Sequence, residues 1–139
     1  MLHMKKIVMI MNLISLIACG TNKKSVSFTS LEGEWVIKEV NNKEIKAEET
    51  PFLGFNITEK SLYGNAGCNS VMGFLETDEN RPGTLSFGSV GSTKRMCADM
   101  AVEDAILQAI GNVKEFKIED NKLILKDEAG QEIMKLQKR

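Results

Sequence analysis

Between Val113 and Leu136 the chain runs through three short apolar-rich stretches, Val113–Ile118, Leu123–Lys126 and Glu132–Leu136, parted by Glu119-Asp120-Asn121 and by Asp127-Glu128-Ala129-Gly130. Stretches this short, bounded by turn residues, are too brief for helices and read as strands. Leu123 and Leu125 fall on one strand face, as do Met134 and Leu136, because side chains alternate sides along a strand. The C-terminal third is therefore expected to be a three-strand meander, which needs further strands to complete a core.

The preceding residues supply them. Leu31–Val40 reads as a strand that ends on the turn signal Asn41-Asn42 and resumes at Lys43–Ile45. Phe52–Thr58, following Pro51, is a second strand, and Ser61–Gly67 a third after a turn at Lys60. Gly73–Glu76 and Thr84–Val90 add two more, with a loop at Thr77–Gly83 between them. One helix interrupts the pattern: Asp99 caps it, Val102, Ala105, Ile106, Ala109 and Ile110 fall on one face, and Gly111 supplies the stop. The expected fold class is mainly β (α+β), a compact antiparallel sheet or barrel-like meander with one packed helix around a single core.

The N-terminus does not belong to that pattern. Lys5-Lys6 precede the apolar run Ile7–Ile17, which is too short for a stop-transfer span and reads as an export signal. It closes on Leu16-Ile17-Ala18-Cys19, which resembles a bacterial lipobox; an ordinary secretory signal with a chance cysteine is the alternative. The resemblance implies removal of residues 1–18 and lipidation of Cys19, with residues 19–28 as a polar tether and residues 29–139 as the domain. Several acyl chains, at ~0.8 kcal/mol per buried CH2, anchor far more durably than one.

Removing residues 1–18 takes away Lys5 and Lys6 and shifts the formal charge from −1 to −3. That leaves no basic footprint for nucleic acid. The single histidine, His3, is lost as well, so no Cys-His pair, Ser-His-Asp triad or His-containing metal site can be built. Once Cys19 is acylated, Cys68 and Cys97 are the remaining thiols, 29 positions apart. In an oxidising compartment such a pair favours a structural disulfide over free buried thiols, and the spacing argues against a Cys-x-x-Cys redox site.

Gly33-Glu34-Trp35, the stretch from Gly64 to Phe74 (GNAGCNSVMGF), the stretch from Leu85 to Cys97 (LSFGSVGSTKRMC) leading into a helix with Glu103, and the stretch from Lys117 to Leu136 (KIEDNKLILKDEAGQEIMKL) together resemble the META domain, also called the HslJ family. The resemblance covers about residues 29–137, with Ala98 standing where members often carry proline after the second cysteine. It implies a compact antiparallel β fold with a packed helix, no enzymatic activity, no cofactor and no metal. It also implies a heat-inducible or otherwise stress-related envelope protein. Gly64, Gly67 and Gly73 bracket Cys68 where positive φ or close chain approach is useful, and Asn65 and Asn69 can fix such a loop through local hydrogen bonds. A shaped turn held to Thr93–Met96 is the structural reading; a binding surface of Asn65, Asn69, Thr93 and Arg95 is the functional one.

Trp35 is expected to plug the core, although Gly33-x-Trp35 also resembles the opening of lipocalins, whose barrels hold apolar ligands. The carboxylates sit beside lysines, as in Lys43-Glu44 and Lys126-Asp127, the mark of a solvated surface rather than an acid/base pair. Three function classes follow: a non-enzymatic envelope module working through protein contacts, which is the expected one, a lipocalin-like or pilot-lipoprotein-like binder of a lipid or other small apolar molecule, and an enzyme, which would need carboxylates converging in a cleft. The residue after Cys19 is Gly20 rather than an acidic one; in a Gram-negative cell the resemblance to sorted lipoproteins implies the periplasmic leaflet of the outer membrane, with surface display as the alternative, and the domain is expected to be a monomer.

Overall fold

A computed structural model of the chain describes residues 26–139. The expected signal at 1–18, Cys19 and most of the tether lie outside the described residues. Nine strands and one helix follow a short 3-10 turn at Phe28–Leu31: β1 Gly33–Val40, β2 Lys43–Glu44, β3 Phe52–Asn56, β4 Ser61–Asn65, β5 Ser70–Glu76, β6 Ser86–Ser92, α1 Ala101–Asn112, β7 Glu115–Glu119, β8 Lys122–Lys126 and β9 Glu132–Lys138. All pairings are antiparallel, in the order β6-β5-β4-β3-β1-β9-β8-β7, with β2 folded back on β1. The sheet curls into a half-barrel, mainly β with a single helix as expected. Its two edges meet at one bridge, Thr84 to Glu115, where Leu85 N–H donates to the Lys114 carbonyl at 3.0 Å and Phe116 N–H to the Gly83 carbonyl at 2.8 Å.

Turn chemistry sets the hairpins. Asn41 and Asn42 both take positive φ, 50° and 63°, as a two-residue hairpin turn of the primed kind requires. The inward alternation that puts Trp35 and Ile37 in the core would turn Val40 outward. A β-bulge opposite β9, between Ile37 and Glu39, adds the residue that brings Val40 back inside at 3% exposure.

The interior is occupied by Trp35, Phe55, Leu53, Leu62, Leu123, Leu125 and Met134 from the strands and by Ile106 and Ile110 from α1. Each such side chain contributes about 1.5–3 kcal/mol on burial. Trp35 is the expected plug: it is 2% exposed and its indole N–H donates to the Leu31 carbonyl at 2.8 Å, so the ring is buried without orphaning its donor. Val26 and Phe28 already pack against this core.

Several boundaries differ from the sequence expectation. The helix does not stop at Gly111; it runs to Asn112, and the extended Val113 (φ −65°, ψ 130°) ends it because that side chain turns in to bury at 1% exposure. Asp99 does cap α1, accepting the Ala101 N–H at 2.8 Å from one residue before the Met100 position. The third strand ends at Asn65 instead of Gly67, and the fourth starts at Ser70 instead of Gly73, because the β4–β5 connection is claimed by other bonds.

Candidate functional site

Those bonds begin with Asn65. Its side-chain oxygen accepts the Gly67 N–H at 2.6 Å, an Asx turn that takes the chain out of β4. Gly67 follows at φ +104°, a conformation an L side chain rarely adopts. Gly64 serves the other expected purpose, close approach: a Cβ there would run into the Phe52 carbonyl of β3. The turn delivers Cys68, 2% exposed, to Cys97 on the β6–α1 connection, and the two form a disulfide with Cα atoms 6.1 Å apart.

Asn69 is the centre of the junction. Its side-chain amide donates to Glu103 Oε2 at 2.7 Å and to the Arg95 carbonyl at 3.0 Å. Its side-chain oxygen accepts the Arg95 N–H at 2.7 Å and the Thr93 hydroxyl at 2.8 Å. With its own N–H donating to Glu103 Oε1 at 2.6 Å, one asparagine ties the β4–β5 connection, the β6–α1 connection and α1 together. The Thr93 hydroxyl oxygen also accepts the Ser70 N–H at 3.1 Å. Asn69 and Glu103 are 2% and 4% exposed, and every buried side-chain nitrogen or oxygen among the described residues has a partner. A buried carboxylate is tolerated only when its oxygens are used in this way.

The four residues weighed as a binding surface are thus brought together, but they divide. Asn69 is inside with its hydrogen-bonding capacity spent, and the Thr93 hydroxyl is engaged in the same junction. Asn65 and Arg95 face outward and are joined by Glu49, whose carboxylate accepts Asn65 Nδ2 at 3.0 Å and pairs with Arg95 Nη2 at 3.4 Å. Glu49, Arg95, Gly67, Cys97 and Val102 border a surface groove of about 420 Å³. Among the described residues no three His, Cys, Asp or Glu side chains gather as metal ligands.

Glu103 as the partner of Asn69, and Glu49 as the link between Asn65 and Arg95, did not emerge from sequence reasoning. A signal for Glu103 existed: it stands at i, i+3 and i+7 with Ile106 and Ile110, so an acidic residue interrupts the apolar face of the helix. Glu49 carries no such mark.

A profile of the META domain matches residues 27–139. No curated protein matches the chain. Among solved structures, an NMR structure of a protein from Burkholderia xenovorans is similar at TM-score 0.61 and 19% identity, covering 80% of this chain and 85% of its own. A second NMR structure is similar at TM-score 0.63 and 19% identity, covering 81% and 94%. The crystal structure of a DUF4847 family protein from Bacteroides vulgatus is similar at TM-score 0.58 and 13% identity, covering 78% and 94%. Identities this low speak for a shared fold, whereas the profile match spans the whole described domain and the junction just built. The chain belongs to the META domain family.

Proposed function

We propose that the chain is a non-enzymatic, lipid-anchored envelope module, tethered through Cys19 to the periplasmic face of an outer membrane, which works through protein contacts in envelope maintenance or stress. The observation that carries this over the lipid-carrier reading is the occupied interior. Trp35, Phe55, Leu62, Ile106 and Ile110 fill the space between sheet and helix, where a carrier would need an apolar cavity of about 300 Å³ or more. The groove beside Cys97 is an open surface cleft of mixed polarity, bordered by Lys46, Glu49 and Asp99.

Two measurements test the reading. Cys19→Ala is expected to move the chain from the membrane fraction to the soluble one; a variant that still sediments with membranes removes the anchor. Mass spectrometry of the native protein is expected to find no stoichiometric lipid apart from the acyl chains on Cys19. A tightly held second lipid would restore the carrier.

A further inference from the structure

The outer face of β3–β6 is unusual for a surface carrying this many charges. Tyr63 on β4 pairs with Met72 on β5, Met72 with Gly91 on β6, and Phe74 on β5 with Gly88 on β6. Tyr63 is 41% exposed and Met72 and Phe74 are each 60% exposed. On the β3 side the Tyr63 ring lies over Gly54 and meets Phe52 edge to face at 6.4 Å. On the β6 side the Glu76 side chain lies over Gly88, whereas Gly91 leaves the main chain bare, and a side chain there would meet nothing within 4 Å.

The edge beside this patch has no partner strand, although α1 packs against β6. β6 has a single partner strand, β5, since the bridge to Glu115 is made by Thr84, ahead of the strand. Exposed edges are ordinarily blunted with charged side chains, proline or bulges. The opposite edge, β7, follows that rule with Glu115, Lys117 and Glu119. β6 reads Ser-Phe-Gly-Ser-Val-Gly-Ser, without a charge or a proline, and its only irregularity is the bulge opposite Met72/Phe74, where Ser89 takes φ 49°.

The size of the patch selects the occupant. Three side chains at these exposures leave on the order of 300 Å² of apolar surface, well short of the roughly 800 Å² per partner that a stable dimer buries. A strand laid against an edge needs no such area, because main-chain hydrogen bonds carry the affinity and alternate side chains need only a shallow apolar strip.

We propose that β6 is a docking edge that takes an extended, apolar-patterned segment of another protein as an added strand, with an apolar side chain of that segment lying over the open Gly91 against Met72 and toward Phe74. This rests on the protein-contact reading and names where the contact is made.

The test uses the full chain purified in detergent and a synthetic peptide of about eight residues alternating Val or Phe with Thr. Hydrogen–deuterium exchange is expected to slow across Ser86–Ser92 when the peptide is added. The same peptide N-methylated at alternate residues, which removes its main-chain donors, is expected to have no effect. Gly91→Lys places the missing guard in open space, and Phe74→Ser removes the strip. Each should weaken peptide binding by about tenfold or more while leaving the melting temperature unchanged. Protection at Lys46–Glu49 and Arg95–Asp99 instead would overturn the edge while leaving a protein-contact module standing. Protection of β6 without peptide, rising with protein concentration alongside a doubled mass, would make the occupant a second copy and overturn the proposal. No protection anywhere at millimolar peptide overturns it as well.

Discussion

At the scale of single residues, the most consequential contact is between a buried acid and a buried amide. Glu103→Gln replaces one of the two carboxylate oxygens by an amide nitrogen, so one of the two Asn69 donors would face another donor. The expected cost is about 1–3 kcal/mol, read as a lower denaturation midpoint with the disulfide intact. An unchanged midpoint would mean that the junction is held by the disulfide alone. Tyr63, the only tyrosine in the chain, offers a second reading at this scale. The covered face of its ring desolvates the phenol, and the charges of Glu34 and Glu32 and a hydrogen bond to Glu34 add to this, so its pKa lies above the ordinary value. The folded chain therefore holds this proton longer than the unfolded chain. The associated stability is whole below the ordinary tyrosine range and is lost as pH rises through the raised folded pKa. Near-UV tyrosinate absorbance should show a midpoint above 10.0, and Glu34→Gln should lower it without restoring the ordinary value, because desolvation is the larger cause. The glycines and asparagines around Cys68 were legible because each residue type has a narrow use, which the Gly67 φ and the Asn65 Asx turn then show. The Asn69–Glu103 pair was not, because a hydrogen bond across 34 positions leaves no local pattern.

At the scale of elements, short apolar runs bounded by turn signals, with alternation in some of them, located the strands, while the ends slid where a main-chain group found a better partner than its neighbour strand. The β4 end is the clear case: once the Asn65 side chain takes the Gly67 N–H, residues 66 and 67 cannot continue the ladder. Helix α1 shows the same limit differently. Its expected face included Val102 and Ala105, yet both are half-buried, while Glu103, Ile106, Ala109 and Ile110 are buried. The 3.6 period gave the stripe, but its centre shifted toward Glu103 because that carboxylate is drawn in by Asn69. Substitution should register the shift. Ile106→Ala, at 0% exposure, is expected to cost about 2–5 kcal/mol. Val102→Ala should cost clearly less, because its side chain already meets solvent at the groove. Equal losses in chemical denaturation would put the buried face back where the sequence alone suggested it.

At the scale of the whole molecule, the sheet is stitched by contacts between distant parts of the chain. β1, first in sequence, lies centrally between β3 and β9, so neither the N-terminal nor the C-terminal meander closes the core without it. The edges come together only at Thr84–Glu115, and between those residues the chain passes through the disulfide and α1. The cross-link from Cys68 to Cys97 thus joins the β4–β5 connection of one meander to the segment entering the helix, and that helix leads into the other meander. On the loop-entropy account, a cross-link spanning 29 positions restricts the unfolded chain by roughly 3–4 kcal/mol. The native junction holds its geometry by other means, since Asn69 bonds Arg95, Thr93 and Glu103 independently of either sulfur. Replacing both cysteines by alanine should therefore lower stability by roughly 2–5 kcal/mol while the slow amide exchange of the Asn69 N–H persists in the native state. The wild-type chain, denatured without reductant, should show no free thiol at either position. A titratable thiol at Cys68 in the native protein would sink the scaffold reading. A double variant whose Asn69 amide exchanges freely would show that the covalent bond, and not the hydrogen-bonded junction, holds the two meanders in register.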